Sequence, residues 1–123
     1  MAQKILILIN DAPYGTEKAY NALRVAMQLG KDHADTEVRV FLLADAANCA
    51  LANQITPNGY YNIERMLKAV LAKGGKVKIC GGCAESRGLK STPLCMRENL
   101  KDDVREAFFF RSMETKSYSG VSR

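Results

Sequence analysis

Short apolar runs alternate along this chain with segments in which apolar residues recur at three- and four-residue steps. Residues 5–9, Ile-Leu-Ile-Leu-Ile, contain no polar side chain, which is typical of a strand buried on both faces of a parallel sheet. Residues 37–43 and 76–80 predict two more strands. The periodic segments between the strands predict amphipathic helices, the first capped by Thr16. The sequence therefore predicts an α/β fold, a three-layer sandwich with a mainly parallel sheet and helices on both faces.

Composition places this fold in a single globular domain. The chain has 123 residues, of which 47% are hydrophobic and 25% charged, the balance of an ordinary soluble domain. Its longest apolar runs are far shorter than the roughly 20 residues that a membrane span needs, and no secretory signal is recognisable. We therefore expect a cytoplasmic protein without a membrane partner. Because that compartment keeps thiols reduced, the four cysteines are predicted to be free, reactive or metal-binding rather than bridged.

The charge distribution argues against a nucleic-acid partner. The net charge is +5, and residues 61–123 carry thirteen Lys and Arg against seven Asp and Glu. These basic residues are scattered among acidic ones, without the clusters and interleaved aromatic residues that bind nucleic acids. Residues 108–123 begin with three phenylalanines and continue as a polar segment without helix or strand periodicity. The sequence therefore predicts a domain over residues 1–107 and an atypical polar tail over residues 108–123.

The cysteines at positions 80 and 83 form a Cys-Gly-Gly-Cys motif directly after the third predicted strand. In open α/β sheets, functional groups gather at the carboxyl ends of the strands. If a helix begins here, its N-terminus would favour a thiolate, and Arg87 would add positive charge one turn later. Gly81 and Gly82 would let backbone amides approach a sulfur substituent. The motif thus predicts a nucleophilic thiol at Cys80 or Cys83.

Other interpretations of these cysteines remain open. Cys80 would serve equally as a small core residue, with Cys83 as a bystander. A zinc site is disfavoured because a second Cys pair is missing and Cys95 and His33 stand alone in the sequence. A Cys-X-X-Cys motif also occurs in thioredoxin-like dithiols, but there it follows an early strand. We expect neither a metal nor a cofactor.

Three blocks of this sequence, residues 4–15, 40–50 and 80–88, resemble the DsrE/DsrF-like family in the family's order. The similarity extends over roughly residues 3–105. The resemblance implies a compact α/β sandwich that assembles as a homotrimer or homohexamer. It also implies a role in intracellular sulfur relay, in which a cysteine accepts sulfane sulfur as a persulfide and passes it on. The expected partners are sulfur donor and acceptor proteins.

The resemblance also assigns roles to individual residues. The active cysteine of the family lies eight residues before the glycine of an Arg-Gly pair, and Cys80 stands in that relation to Gly88. Cys83 matches a second cysteine of some members, which would either resolve the persulfide as a disulfide or hold the sulfur alternately. Three more residues would line the pocket at the same sheet edge: Cys49, Asn10 and Asp11. Packing is the alternative role for Cys49, and turn formation is the alternative for Asn10 and Asp11.

The sequence departs from the family at its end. Members usually finish with a further helix and strand, whereas residues 108–123 do not align with them. An uncovered sheet edge would favour oligomers. We therefore expect a homo-oligomeric sulfur carrier with Cys80 as the persulfide-bearing nucleophile and Cys83 as its assistant. The alternatives are a dithiol-disulfide oxidoreductase and a non-catalytic subunit that binds a small ligand.

Overall fold

The computed structural model describes residues 3–96, which form a three-stranded parallel sheet and its connecting helices. The strands lie in the order β1-β2-β3. Along the chain the elements are β1 (Lys4–Ile9), α1 (Lys18–Asp32), β2 (Glu37–Leu42), a 3-10 helix (Ala44–Ala50), α2 (Ile63–Ala72), β3 (Lys76–Ile79) and α3 (Gly81–Ser86). The predicted α/β fold with a parallel sheet is confirmed.

One face of the sheet forms the core. The parallel register sets Ile9 of β1 beside Leu42 of β2, and Leu42 beside Ile79 of β3. These residues are almost completely buried and belong to one hydrophobic cluster with Leu23 of α1 and Leu67 of α2. Both long helices therefore pack on this face, and the apolar periodicity of each helix is explained by the contact.

The opposite face of β1 is more exposed than its apolar sequence predicts. Leu6 is 39% exposed and Leu8 is 51% exposed, so the prediction of a strand buried on both faces is wrong in the part of the chain that the structure describes. Helices α1 and α2 both pack on the other face, so neither forms the predicted helical layer on this one. A purely apolar run indicates a strand, but its burial depends on what covers each face.

The helix boundaries differ from the sequence predictions in two places. Helix α1 begins after Glu17, which provides no side-chain cap. The predicted cap, Thr16, lies one residue before that position, and its hydroxyl accepts the N–H of the first helical residue, Lys18, at 3.4 Å. The apolar periodicity of residues 60–73 predicts a second helix that begins at residue 60. Helix α2 instead begins at Ile63, because the Asn62 side chain caps it by accepting the Arg65 N–H of its first turn at 3.1 Å.

The predicted boundary at residues 107–108 and the tail lie outside the described residues. Within residues 3–96, no helix combines the length and apolar character needed to cross a membrane.

Candidate functional site

Cys80 stands at the carboxyl end of the sheet, directly after β3. Its N–H continues the sheet by donating to the Leu42 carbonyl at 2.9 Å. Its sulfur caps α3 by accepting the Cys83 N–H at 3.3 Å. The side chain is only partly buried. The sequence thus places a half-accessible sulfur, with a backbone donor beside it, where a parallel sheet presents functional groups.

Cys83 has a backbone donor of its own, supplied by the neighbouring strand. The N–H of Ala44, just after β2, donates to Cys83 Sγ at 3.2 Å. Ala44 has φ of +49°, a left-handed conformation that disfavours any residue with a Cβ. The chain therefore keeps an unfavourable backbone conformation at the residue whose N–H meets this sulfur.

The surroundings of Cys80 raise the pKa of its thiol. Burial is the largest cause of a raised pKa at Cys80, and a side-chain hydrogen bond with Cys83 raises that pKa further. Backbone N–H groups of Cys83 and Gly82 act in the opposite direction but do not outweigh these effects. The N–H groups at the start of the helix thus lower the Cys80 pKa as expected, but desolvation of the sulfur dominates and the pKa is raised.

Arg87 lies beside the pair, as predicted, but its hydrogen bonds go to oxygen. Its Nε donates to Asp45 Oδ1 at 2.9 Å, and its Nη1 donates to the Cys83 carbonyl at 3.1 Å. Asp45 belongs to the 3-10 helix and Cys83 to α3. The guanidinium therefore links these two short helices and places positive charge next to the backbone of Cys83.

Cys49 is packed in the core, in contrast to Cys80 and Cys83. It is completely buried, and burial raises its pKa to about 12. Its sulfur lies 4.0 Å from the Asp11 carbonyl, so two of the predicted pocket residues do meet. The Asp11 carboxylate, however, faces Lys18 at 3.7 Å. These contacts favour packing for Cys49 and turn formation for Asp11.

The remaining predicted residues divide by exposure. Gly81 is buried at the start of α3, whereas Gly82 and Asn10 are exposed. The structure thus brings Cys80, Cys83 and Arg87 together. Among residues 3–96, no group of three or more His, Cys, Asp or Glu side chains has the geometry to hold a metal ion.

The sequence analysis missed two contributors to the site. Ala44 contributes only its backbone N–H, and an alanine carries no signal of a left-handed conformation. Asp45 is a polar residue in the 3-10 helix that follows β2, a position that could have marked it as a partner for Arg87.

Four tyrosines stack on one another. Tyr61 stacks on three rings, with centroid distances of 4.3 Å to Tyr60, 4.2 Å to Tyr20 and 5.9 Å to Tyr14. Tyr14 also connects this stack to the start of α2, because its hydroxyl accepts the Ile63 N–H at 3.1 Å. Tyr60 and Tyr61 therefore pack with tyrosines from a distant part of the chain.

Comparison with known proteins shows which sequences and structures this chain is similar to. The sequence pattern of the DsrE/DsrF-like family matches residues 3–107. Protein YchN of Escherichia coli K12 is 40% identical over 92 residues, which cover 75% of this chain and 78% of YchN. An uncharacterized protein of Methanocaldococcus jannaschii is 38% identical over 91 residues, covering 74% of this chain and 77% of that protein. The crystal structure of E. coli YchN superposes with a TM-score of 0.72 at 39% identity, covering 76% of this chain and 80% of the YchN chain.

Proposed function

Because the chain belongs to the DsrE/DsrF-like family, we propose that it is a small sulfur carrier that accepts sulfane sulfur as a persulfide on Cys80. The observation that supports this most directly is the position of Cys80, a half-accessible thiol at the end of β3 whose sulfur accepts the Cys83 N–H at 3.3 Å. A bound persulfide would extend from this sulfur. Nearby backbone N–H groups would stabilise its negative charge.

The chemistry is a thiol exchange that needs no cofactor. The Cys80 thiolate attacks the outer sulfur of a donor persulfide, a new S–S bond forms on Cys80, and the donor leaves as its thiolate. The raised pKa of Cys80 lowers the thiolate fraction at neutral pH, but it also makes the thiolate that forms more nucleophilic. An acceptor thiolate would later remove the outer sulfur by the same reaction.

The proposed setting follows from this chemistry. Both thiols must stay reduced between cycles, which fits the cytoplasm. The donor and the acceptor would be proteins that carry reactive thiols. The exposed apolar side chains on the second face of β1, Leu6 and Leu8, are compatible with a homotrimer or a homohexamer.

A dithiol-disulfide oxidoreductase is the second candidate, because the two cysteines of the motif are neighbours: the Cys83 N–H donates to the Cys80 sulfur at 3.3 Å. The two candidates differ in what first forms on Cys80. A carrier acquires a sulfur atom from the donor. An oxidoreductase acquires the thiol part of the donor as a mixed disulfide, which the second thiol then resolves.

The test is intact-mass spectrometry of the reduced full-length protein after brief exposure to glutathione persulfide. We expect Cys83→Ser to gain one sulfur atom, removable by reductant, and Cys80→Ser to gain none at position 80 or 83 on peptide mapping. Cys95→Ser is the matched control and should behave as the unsubstituted protein. If Cys80 gains glutathione instead of sulfur, the oxidoreductase is favoured. If Cys80 stays unmodified, both the carrier and the oxidoreductase proposals are contradicted.

A further inference from the structure

Helix α3 is too short to fix its own position against the sheet. It has six residues, and a helix of this length is marginal in water unless other elements hold it. Its buried residues, Gly81 and Ala84, carry one methyl group between them and so add little apolar contact. The position of α3, and with it the surroundings of Cys80, therefore depends on polar contacts with neighbouring elements.

The 3-10 helix provides a fixed base for such contacts. Four of its seven residues are completely buried in the core: Ala46, Ala47, Cys49 and Ala50. Two groups at its start contact α3 or the residue that ends it. The Ala44 N–H donates to Cys83 Sγ at 3.2 Å, and the Asp45 carboxylate accepts Arg87 Nε at 2.9 Å. The core thus holds the 3-10 helix, and the 3-10 helix holds α3.

The Arg87 guanidinium connects Asp45 to the backbone of Cys83. Its Nη1 donates to the Cys83 carbonyl and to Ser86 Oγ, both at 3.1 Å. Ser86 Oγ donates to the same carbonyl at 3.0 Å. The N–H of Cys83 meanwhile donates to Cys80 Sγ at 3.3 Å. Cys83 is therefore held at its carbonyl while its N–H contacts the sulfur that is proposed to react.

We propose that Asp45 is a positioning residue for the reaction at Cys80. Through Arg87 it holds Cys83, and it thereby keeps the Cys83 N–H against the Cys80 sulfur, where this donor stabilises the negative charge of a thiolate or a persulfide. The inference rests on the proposed function, because it concerns the same sulfur. It also gives Arg87 a role other than that of a counter-ion, since the guanidinium binds Asp45 and the Cys83 carbonyl.

Loss of the Asp45 charge has opposite effects under the two roles of Arg87. If Arg87 positions Cys83, this loss loosens α3 and slows reactions of Cys80. If Arg87 is instead the counter-ion of the sulfur, the loss frees the guanidinium and makes these reactions faster. The ion pair is partly exposed, with 30% of the Arg87 side chain and 65% of the Asp45 side chain accessible. Such pairs contribute little to stability and weaken in salt, so the variants should remain folded.

Alkylation by iodoacetamide measures the reactivity of Cys80 without a sulfur donor. The reduced full-length protein is compared with Asp45→Asn, Arg87→Gln and the double variant over a range of pH, and tandem mass spectrometry locates the alkylated cysteine. Arg87→Lys keeps the positive charge but lacks the planar fork that reaches two acceptors. Glu85→Gln is the matched control, because it removes an acidic group of α3 that pairs with Lys90 at 3.6 Å and leaves the Asp45 pair intact. Urea unfolding checks that each variant is folded.

We expect Asp45→Asn and Arg87→Gln each to slow the alkylation of Cys80 about two- to fivefold at neutral pH, the range that an exposed ion pair can supply. Both variants should also move the pH profile of this reaction to higher pH. The double variant should be no slower than Arg87→Gln, Arg87→Lys should not restore the rate, and Glu85→Gln should match the unsubstituted protein. High salt should slow the unsubstituted protein towards the rate of Asp45→Asn.

Faster alkylation in Asp45→Asn would overturn the inference and make Arg87 the counter-ion of the sulfur. An unchanged rate, or additive effects in the double variant, would overturn it as well. Exposure to glutathione persulfide then separates the inference from the proposed function. If the unsubstituted protein and Asp45→Asn gain sulfur on Cys80 at the same rate, the inference is wrong while the carrier function stands. If neither gains sulfur, the carrier function fails, and the alkylation rates still decide whether Asp45 positions Cys83.

Discussion

The Asn62 side chain is expected to contribute strongly to stability because it satisfies two backbone groups at once. Its Oδ1 accepts the Arg65 N–H at 3.1 Å and caps α2, while its Nδ2 donates to the Gln54 carbonyl at 3.0 Å. The residue is only 6% exposed, so water has little access to replace these bonds. Loss of an N-cap costs about 1 kcal/mol. The partly buried Gln54 carbonyl would lose this donor, which adds up to about 1–3 kcal/mol.

Asn62→Ala should therefore lower the free energy of unfolding by about 2–4 kcal/mol, a large share of the roughly 5–15 kcal/mol of an ordinary domain. Asn62→Ser is the matched variant, because its hydroxyl oxygen keeps the cap but does not reach the Gln54 carbonyl. The free energy of unfolding of Asn62→Ser should fall by about 1 kcal/mol less than that of Asn62→Ala. Urea unfolding followed by far-UV circular dichroism, at one protein concentration, measures both. If the free energy of unfolding falls equally in the two variants, the capping argument is refuted. If it falls by less than about 1 kcal/mol in Asn62→Ala, the burial argument is refuted.

Three further outcomes follow from burial and backbone geometry. Burial raises the pKa of Cys49 to about 12 from 9.0. At pH 8, iodoacetamide should therefore alkylate Cys49 at least roughly 1,000-fold more slowly in folded protein than in urea-unfolded protein. Similar alkylation rates on peptide mapping would refute this prediction. Ala44→Gly should raise the free energy of unfolding by up to about 1 kcal/mol, because relief of the left-handed strain exceeds the entropic cost of glycine. A clear decrease in the free energy of unfolding, measured in urea, would contradict the strain. Leu67→Ala should lower the free energy of unfolding by about 2–5 kcal/mol, because Leu67 is buried. Leu8→Thr should lower it by less than about 1 kcal/mol, because Leu8 is 51% exposed. Equal decreases in the two variants would mean that Leu8 is covered.

The strands and the location of the motif could be predicted because both depend on local pattern. An apolar run such as residues 5–9 selects a strand whatever surrounds it, and Cys80 directly follows the alternating polar and apolar residues 76–79. The exposure of Leu6 and Leu8 could not be predicted, since it depends on which face the helices choose. The same holds for Cys80: its raised pKa arises from burial, which is a property of the assembled fold.

The Ala44 amide shows why the relation between the two cysteines needed the structure. Its left-handed φ of +49° would be suggested by glycine or asparagine, but alanine carries no such signal. Residues 44 and 83 meet only because β2 and β3 are parallel neighbours whose carboxyl ends share one edge of the sheet. A sequence motif identifies two thiols, and the sheet then decides which of them is held by a donor outside the motif.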